Sequence, residues 1–528
     1  MKNLLVVTYS LLLLWTAAGC KKEQNVTESP QDSVTTSIPD LTIMNEVQKA
    51  SFGYFWDGAH AQSGMALERS SSGDVVTTGG TGFGIAGIVA ATSRGWISRT
   101  DAVNRLRTIC YFLQDANRFH GAWPHWLNGA TGKVVPFSTY DNGGDLVETA
   151  FLVNGLLIAR AYFTGADTAE TNLRNKITTL YEGVEWDWYA SKGDNKLYWH
   201  WSPDYDWAVN LPIAGWNEAL ITYVLAAASP IHPIDVSVYN NTWITSGFGV
   251  QKTYQGYTVS VSSNEYIGPL FFSHYSFIGL DPRQLEDNYT NYWQQNVKQV
   301  LINRSYCLYG ASSAYGYSAS LWGLTASDGP DGYNAFQPGS DNGTIAPTAA
   351  LSSIAYTPYY SLQVMRNLYE NKKALYGKYG FYDALNVSRN WMDNEYLAID
   401  QGPIVAMIEN YRSGLLWNLF MNISEIKTAL TQLGFHTPVR STGFYLSIPE
   451  VENKVVDLVK HPDAATYQLD VYMSTAGTFT LEKADGTVVS TTSVNAGSTQ
   501  VTFNTSVGKY TARLKGSSDN ITQVVQLH

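Results

Sequence analysis

The chain has 528 residues and a formal net charge of -11, with 13% aromatic and only 15% charged residues. Sparse charge with abundant aromatics excludes a disordered chain and leaves room for more than one domain with a large core. The acidic balance argues against nucleic acid or an anionic membrane surface as a partner, because both require basic patches.

In chain order, Met1-Lys2-Asn3 is a short basic start, Leu4–Trp15 is apolar, and Thr16-Ala17-Ala18-Gly19 leads into Cys20. The run is too short for a mature membrane span. It resembles a bacterial lipoprotein signal, which predicts a signal peptide over 1–19, lipidation at Cys20 and a polar tether over 20–40. Any membrane contact is then through that anchor, in an exported protein of the cell envelope. Cys110 and Cys307 are the other cysteines; both lie in apolar surroundings and read as buried free thiols. No metal-ligand spacing occurs, so neither a metal nor a cofactor is expected.

Helical periodicity recurs at Met44–Phe55, Arg99–Gln114, Leu146–Phe163, Ala169–Glu185, Glu218–Ala228, Tyr292–Ile302, Ser352–Tyr376 and Glu409–Leu433. Wholly apolar helices alternate with mixed ones. That suggests an inner and an outer ring, an (α/α)6 toroid over 41–436, although a helical solenoid shares the pattern. Long aromatic loops intervene at Phe119–Ser138, Trp199–Trp207 and Trp322–Pro338, where binding function is commonly carried. Residues 437–466 read as a connector. From 467 to 528 the chain alternates with period two and has a turn at Asp485-Gly486, which predicts a small β-sandwich.

The carboxylates carry the chemical signal. Asp141, Asp145 and Glu148 precede or enter the apolar run that begins at Leu146. Spacings of four and three place such residues on one helix face. Asp145 could be no more than a helix cap, and acidic residues favour a helix start in any case. Glu148, between Leu146, Val147, Ala150 and Phe151, is harder to explain that way, since carboxylates are seldom buried unless paired or used. Grouped carboxylates in a cleft can be driven to different pKa values, one acid and one base, as glycoside hydrolysis requires. Glu218 repeats the arrangement before a second apolar helix, and Asp400 before a third, with a helix cap near Pro403 as its alternative. Gly82-Phe-Gly84-Ile-Ala-Gly87 matches a dinucleotide fingerprint, but Ser70–Gly80 does not read as a strand and the βαβ context is missing; a glycine-rich entry to a helix, letting the backbone approach a ligand or neighbour, is sufficient. Asp328-Gly-Pro-Asp331-Gly reads as a turn and lacks the alternation of a calcium loop.

Five segments, Asp74–Ile88, Arg118–Lys133, Gly143–Leu157, Gly215–Tyr223 and Ala398–Trp417, resemble in order the bacterial glycoamylase-like family, whose members include β-1,2-glucanases. The resemblance covers about residues 43–435 and leaves the C-terminal module outside it. It implies an (α/α)6 toroid, Bacteroidota-type lipoproteins and inverting cleavage of β-1,2-glucan. Its acidic motif falls on Asp141, Asp145 and Glu148, its Trp-Asn-Glu-Ala glutamate on Glu218, and its Asp-Gln-Gly-Pro aspartate on Asp400. On this reading Glu218 is the general acid and Asp400 serves the base side. Asp141, Asp145 and Glu148 line the central subsite. Trp123, His125, Trp126, Trp199, Trp201 and Trp322 are candidate sugar platforms. Two alternatives stay open: a glucoamylase-like hydrolase of another glucan, and a lipid-anchored glycan binder that does not cleave. Oligomeric state is not legible.

Overall fold

The computed structural model describes residues 38–528 except 246, 263–265, 446–453 and 518. The signal peptide over 1–19, Cys20 and nearly all of the tether lie outside the described residues. The first helix begins at Asp40, the last position assigned to the tether.

Thirteen helices are described in the first domain. They are α1 (Asp40–Trp56), α2 (Thr78–Ser93), α3 (Arg99–Asp115), α4 (Leu146–Tyr162), α5 (Thr168–Glu182), α6 (Leu220–Ala228), α7 (Val236–Thr242), α8 (Tyr292–Ser305), α9 (Pro347–Leu351), α10 (Pro358–Asn371), α11 (Ala398–Ser413), α12 (Leu415–Met421) and α13 (Ser424–Gln432). Helices α2, α4 and α6 are buried on most faces, as largely apolar composition demands, and so is α11, although it carries Asp400, Gln401, Glu409, Asn410 and Arg412. By contrast α3, α5 and α13 bury one stripe each; α3 packs on α5, and α13 on α6. The alternation of buried and half-buried helices expected from the sequence is therefore present.

The least expected helix is α2, whose sequence TGGTGFG opposes helix propensity. Packing overrides propensity here. A Cβ on Gly82 would lie 2.1 Å from the Phe151 carbonyl oxygen, and one on Gly155 would lie 2.1 Å from the Gly82 oxygen. The α2 and α4 backbones therefore touch, which only glycine permits. The fingerprint-like glycines serve this contact. Val75–Thr77 does form a strand, contrary to expectation, but it pairs antiparallel with Trp126–Asn128 and belongs to no βαβ unit. Two other expected helices are broken. Ser352–Tyr376 helps to close α9 and then turns into α10, which starts at Pro358. Glu409–Leu433 spans the end of α11, then α12 and α13, with Gly414 at φ +66° between the first two.

The C-terminal module has two sheets. Gly443–Tyr445, Tyr467–Met473 and Gly497–Phe503 form one. Val455–Leu458, Asn520–Leu527, Gly508–Lys515, Gly477–Glu482 and Val488–Val494 form the other. Phe479, Leu481, Val501, Phe503, Tyr510, Ala512 and Leu514 fill the core between them. The expected turn is there: Gly486 has φ +83°, and Thr487 N–H donates to Asp485 Oδ1 at 2.9 Å. The boundary needs correction. Gly443–Tyr445 and Val455–Leu458 pair into the two sheets, so 437–466 contributes strands to the module as well as linking it. The module is tied to the helical domain by Arg412–Asp463 at 2.7 Å and by the Tyr360 hydroxyl donating to Asp457 at 3.1 Å.

Candidate active site

Short loop strands deliver the chain to the starts of the buried helices. Val75–Thr77 leads into α2, and Gly144–Asp145 leads into α4 after pairing with His200–Trp201. Leu397, bridged to Arg69, leads into α11. Helix N-termini carry unpaired N–H groups and a positive dipole end, so they favour carboxylates.

The first carboxylate group sits at the start of α4. Asp145 is the cap: its Oδ1 accepts from Val147 N–H at 3.0 Å and Glu148 N–H at 2.9 Å. Its Oδ2 accepts from His125 Nδ1 at 3.0 Å. Glu148 Oε2 accepts from Gly79 N–H, at the start of α2, at 2.8 Å. Burial opposes a charge on His125, but Glu148, Asp145 and Asp141 outweigh it and push the imidazole up to about 9. His125 is thus a cation among carboxylates rather than a neutral platform. Burial also raises Glu148 above the ordinary carboxylate range, against the pull of His125. Asp141 Oδ1 lies 3.1 Å from His200 Nε2, which also faces the Gly143 N–H at 3.2 Å. Since the amide can only donate, Nε2 accepts there and the His200 ring is neutral. Burial lowers His200 and pushes Asp141 up to about 7, with Asp145 adding to the latter.

Glu218 stands in the turn two residues before α6, half-buried. Burial pushes its carboxyl up to about 7, with Glu148 and Asp145 contributing. Its backbone oxygen accepts from Ser276 Oγ. Glu218 therefore feels the α4 group directly.

The second group surrounds Asp400 in the first turn of α11. Asp400 is not the cap, because Leu397 holds that position and Pro403 lies inside the helix. Asp400 is 2% exposed, and its carboxyl is hydrogen-bonded to that of Asp383, also 2% exposed. Two buried carboxyls in contact must share a proton, and both are raised, by burial first. Asp383 Oδ2 also accepts from Asp328 N–H at 2.7 Å, and Asp328 pairs with Arg69 at 2.8 Å. Oxygens of Asp328, Asp383 and Asp393 lie within 4.8 Å of one another, as do ligand atoms of His125, Asp141 and Asp145. The three carboxylates have the donor types for a hard cation, and the imidazole with two carboxylates those for a transition metal. Cations of the chain already serve both, His125 in one and Arg69 in the other.

Tyr275 links the two groups. Its ring packs against Phe83, Phe151 and Phe271, and its buried hydroxyl has no hydrogen-bond partner among the described residues. Burial, with Asp400, Glu218 and Glu148 in electrostatic reach, holds that hydroxyl well above the usual tyrosine range. Sequence reasoning missed Tyr275, Asp383 and Asp393. It identified Asp328 as part of a turn, which it is, but not its carboxylate contact.

Two expected platforms are corrected. Trp123 and Trp322 are fully buried. The Trp123 ring lies under the Arg118 guanidinium at 4.1 Å, and its Nε1–H donates to the Leu113 oxygen at 3.0 Å. Both are core rings that present no face to a ligand. Trp126, Trp199 and Trp201 are half-buried and retain partial access. Phe137, at 4.9 Å from Trp126, and the edge-on pair Tyr140–Tyr205 are exposed rings that sequence reasoning did not select.

The fold and site thus define a helical domain with carboxylates grouped at the starts of buried helices, followed by a β-rich module. The glycoamylase family, described as "Putative glucoamylase", matches residues 210–424. An exo β-1,2-glucooligosaccharide sophorohydrolase (non-reducing end) of Parabacteroides distasonis is 42% identical over 425 residues, covering 76% of this chain. The chain spans 59% of the length of that relative. An endo-β-1,2-glucanase of Chitinophaga pinensis, solved with sophorotriose and glucose, is 49% identical with a TM-score of 0.74; the match covers 76% of this chain and 100% of that one. A β-1,2-glucanase structure from Parabacteroides distasonis is 42% identical with a TM-score of 0.73, covering 75% of this chain and 60% of that one. The chain belongs to this glycoamylase-like family.

Proposed function

We propose that the protein is a glycoside hydrolase that cleaves β-1,2-glucan or sophoro-oligosaccharides with anomeric inversion. The observation that carries this reading is the placing of three raised carboxyls, Glu218, Glu148 and Asp400, at or just before three different helix starts, all within electrostatic reach of the buried Tyr275. The names of the relatives supply the linkage. Glu218 is the general acid: at a pKa of about 7 it keeps its proton near neutrality and can give it to the leaving glycosidic oxygen. Asp400 serves the base side. The Asp383–Asp400 pair holds one proton and one negative charge between its two carboxyls, and that shared carboxylate can take a proton from the attacking water. Asp141, Asp145 and Glu148 hold hydroxyls at the central subsite, with His125 balancing their charge, and Trp126, Trp199 and Trp201 supply ring faces.

In this reading the helices close into an (α/α)6 toroid with the helix starts at the mouth of the cleft. Cys20 carries a lipid that anchors an exported protein in the cell envelope. Linear β-1,2-glucan incubated with the protein tests the reading, with products followed by proton NMR. Inversion of a β-linkage releases the α-anomer first. A ladder of sophoro-oligosaccharides would indicate endo action and one short product exo action. No new reducing ends from this glucan, with release from starch or another glucan, would overturn the linkage.

A further inference from the structure

One space with no assigned role lies away from the carboxylates, between the helical domain and the module. It is a slot of about 470 Å3 lined by both. That is within the span of roughly 300–1,000 Å3 typical of small-ligand sites.

Its two walls differ in chemistry. The helical wall is aromatic: Trp293 lies 5.4 Å from Tyr356 and 6.4 Å from Trp417, ring centre to ring centre. The Trp293 indole N–H is buried and has no acceptor among the described residues, in a residue only 8% exposed. A buried donor left unmade is costly, and a ligand acceptor would relieve it. The module wall is polar. Along Tyr467–Met473 the side chains alternate, with Tyr467, Leu469, Val471 and Met473 in the module core. Gln468 and Asp470 therefore project from the other face. Gln500, paired in register with Asp470, projects beside them and donates to Asp470 Oδ1 at 3.3 Å. All three line the slot.

Apart from Asp470, which Gln500 meets through one oxygen, the slot's ionic groups Arg283, Arg412 and Asp457 are engaged within the protein. Arg283 is held by both oxygens of Asp281, Arg412 by both of Asp463, and Asp457 by His528 and Tyr360. An anionic ligand finds no free cation in Arg283 or Arg412. A neutral polyhydroxylated one finds ring faces on one side and amide and carboxylate partners on the other. We propose that this slot between the helical domain and the module is a second binding site for a neutral oligosaccharide, separate from the carboxylate cleft. The inference goes beyond the proposed hydrolysis and takes from it only the choice of probe.

The test is titration calorimetry of the full chain carrying Glu218→Gln with a linear β-1,2-linked glucose tetramer. The expected result is two classes of site, one of which is lost when Gln468→Trp is added to fill the slot. Asn418→Trp, on the exposed opposite rim, is the second variant in case Gln468→Trp disturbs module docking; it is expected to remove the same class. In the wild-type background neither substitution changes turnover of the tetramer. A single class of site, unchanged by both substitutions, would overturn the proposal. Failure of the hydrolytic reading is scored separately, as absence of new reducing ends from the wild type. The slot then stands or falls on whether the two substitutions abolish tetramer binding.

Discussion

Gly79→Ala is a small change with a large expected effect. A Cβ at position 79 would lie 2.5 Å from Glu148 Oε2 and 3.0 Å from Phe151 Cδ2. Phe151 cannot yield, because its ring is buried 5.3 Å from Phe83 and 5.5 Å from Tyr275. The carboxylate must swing away, and the 2.8 Å hydrogen bond from Gly79 N–H is lost. A hydrogen bond to a charged group contributes about 1.5–3 kcal/mol, which corresponds to roughly 10- to 150-fold if it is felt in the transition state. That N–H also lowers the Glu148 pKa, so its loss raises the pKa further and moves the acidic limb of the pH profile upward. The assay is kcat/KM on a sophoro-oligosaccharide from pH 4 to 9, with far-UV circular dichroism to verify folding. Activity within about twofold of wild type and an unmoved acidic limb would refute the positioning role given to Gly79.

Three further outcomes are expected. With Glu218 at about 7, kcat/KM falls as pH rises through neutrality, and Glu218→Gln removes that alkaline limb. Asp383 is raised from 3.8 to about 7, so the folded state binds its proton more tightly than the unfolded chain does. The stability this gives is complete below pH 3.8 and is lost as pH rises through about 7. Asp383→Asn should therefore melt higher than wild type at pH 8, by the equivalent of about 1 kcal/mol or more, with no gain at pH 4, while kcat drops. Trp123→Ala should cost about 3–5 kcal/mol of stability, because it empties a core position. Trp201→Ala should leave the melting temperature near wild type and raise KM instead.

What the sequence made legible was set by local contrast. Glu148 stood out because its neighbours are apolar, and Asp145 proved to be both the cap that the simple reading allowed and the partner that holds His125. The module was legible from its two-residue alternation, and the half-buried helices from single apolar stripes. Asp383 and Asp393 were not legible: they lie in short irregular segments that reach the site only because Leu385–Asn386 pairs with both Thr344–Ile345 and Trp391–Met392. Tyr275 looked like one ring in an aromatic stretch. Helix α2 was legible only as a glycine-rich helix entry, because glycine lowers helix propensity while allowing the backbone contact that stabilises this helix. Trp123 and Trp322 show the opposite failure, since a tryptophan in a long loop reads the same whether its ring faces a cleft or the core.

The central claim is that Glu218 protonates the leaving oxygen during β-1,2-glucan cleavage. The direct measurement is turnover of linear β-1,2-glucan by Glu218→Gln beside the wild type, with glucan affinity and folding measured on the same preparations. The account predicts a loss of about 10²–10⁴-fold in kcat with affinity retained, the usual contribution of a positioned acid. Turnover near that of the wild type in a correctly folded Glu218→Gln protein would contradict it.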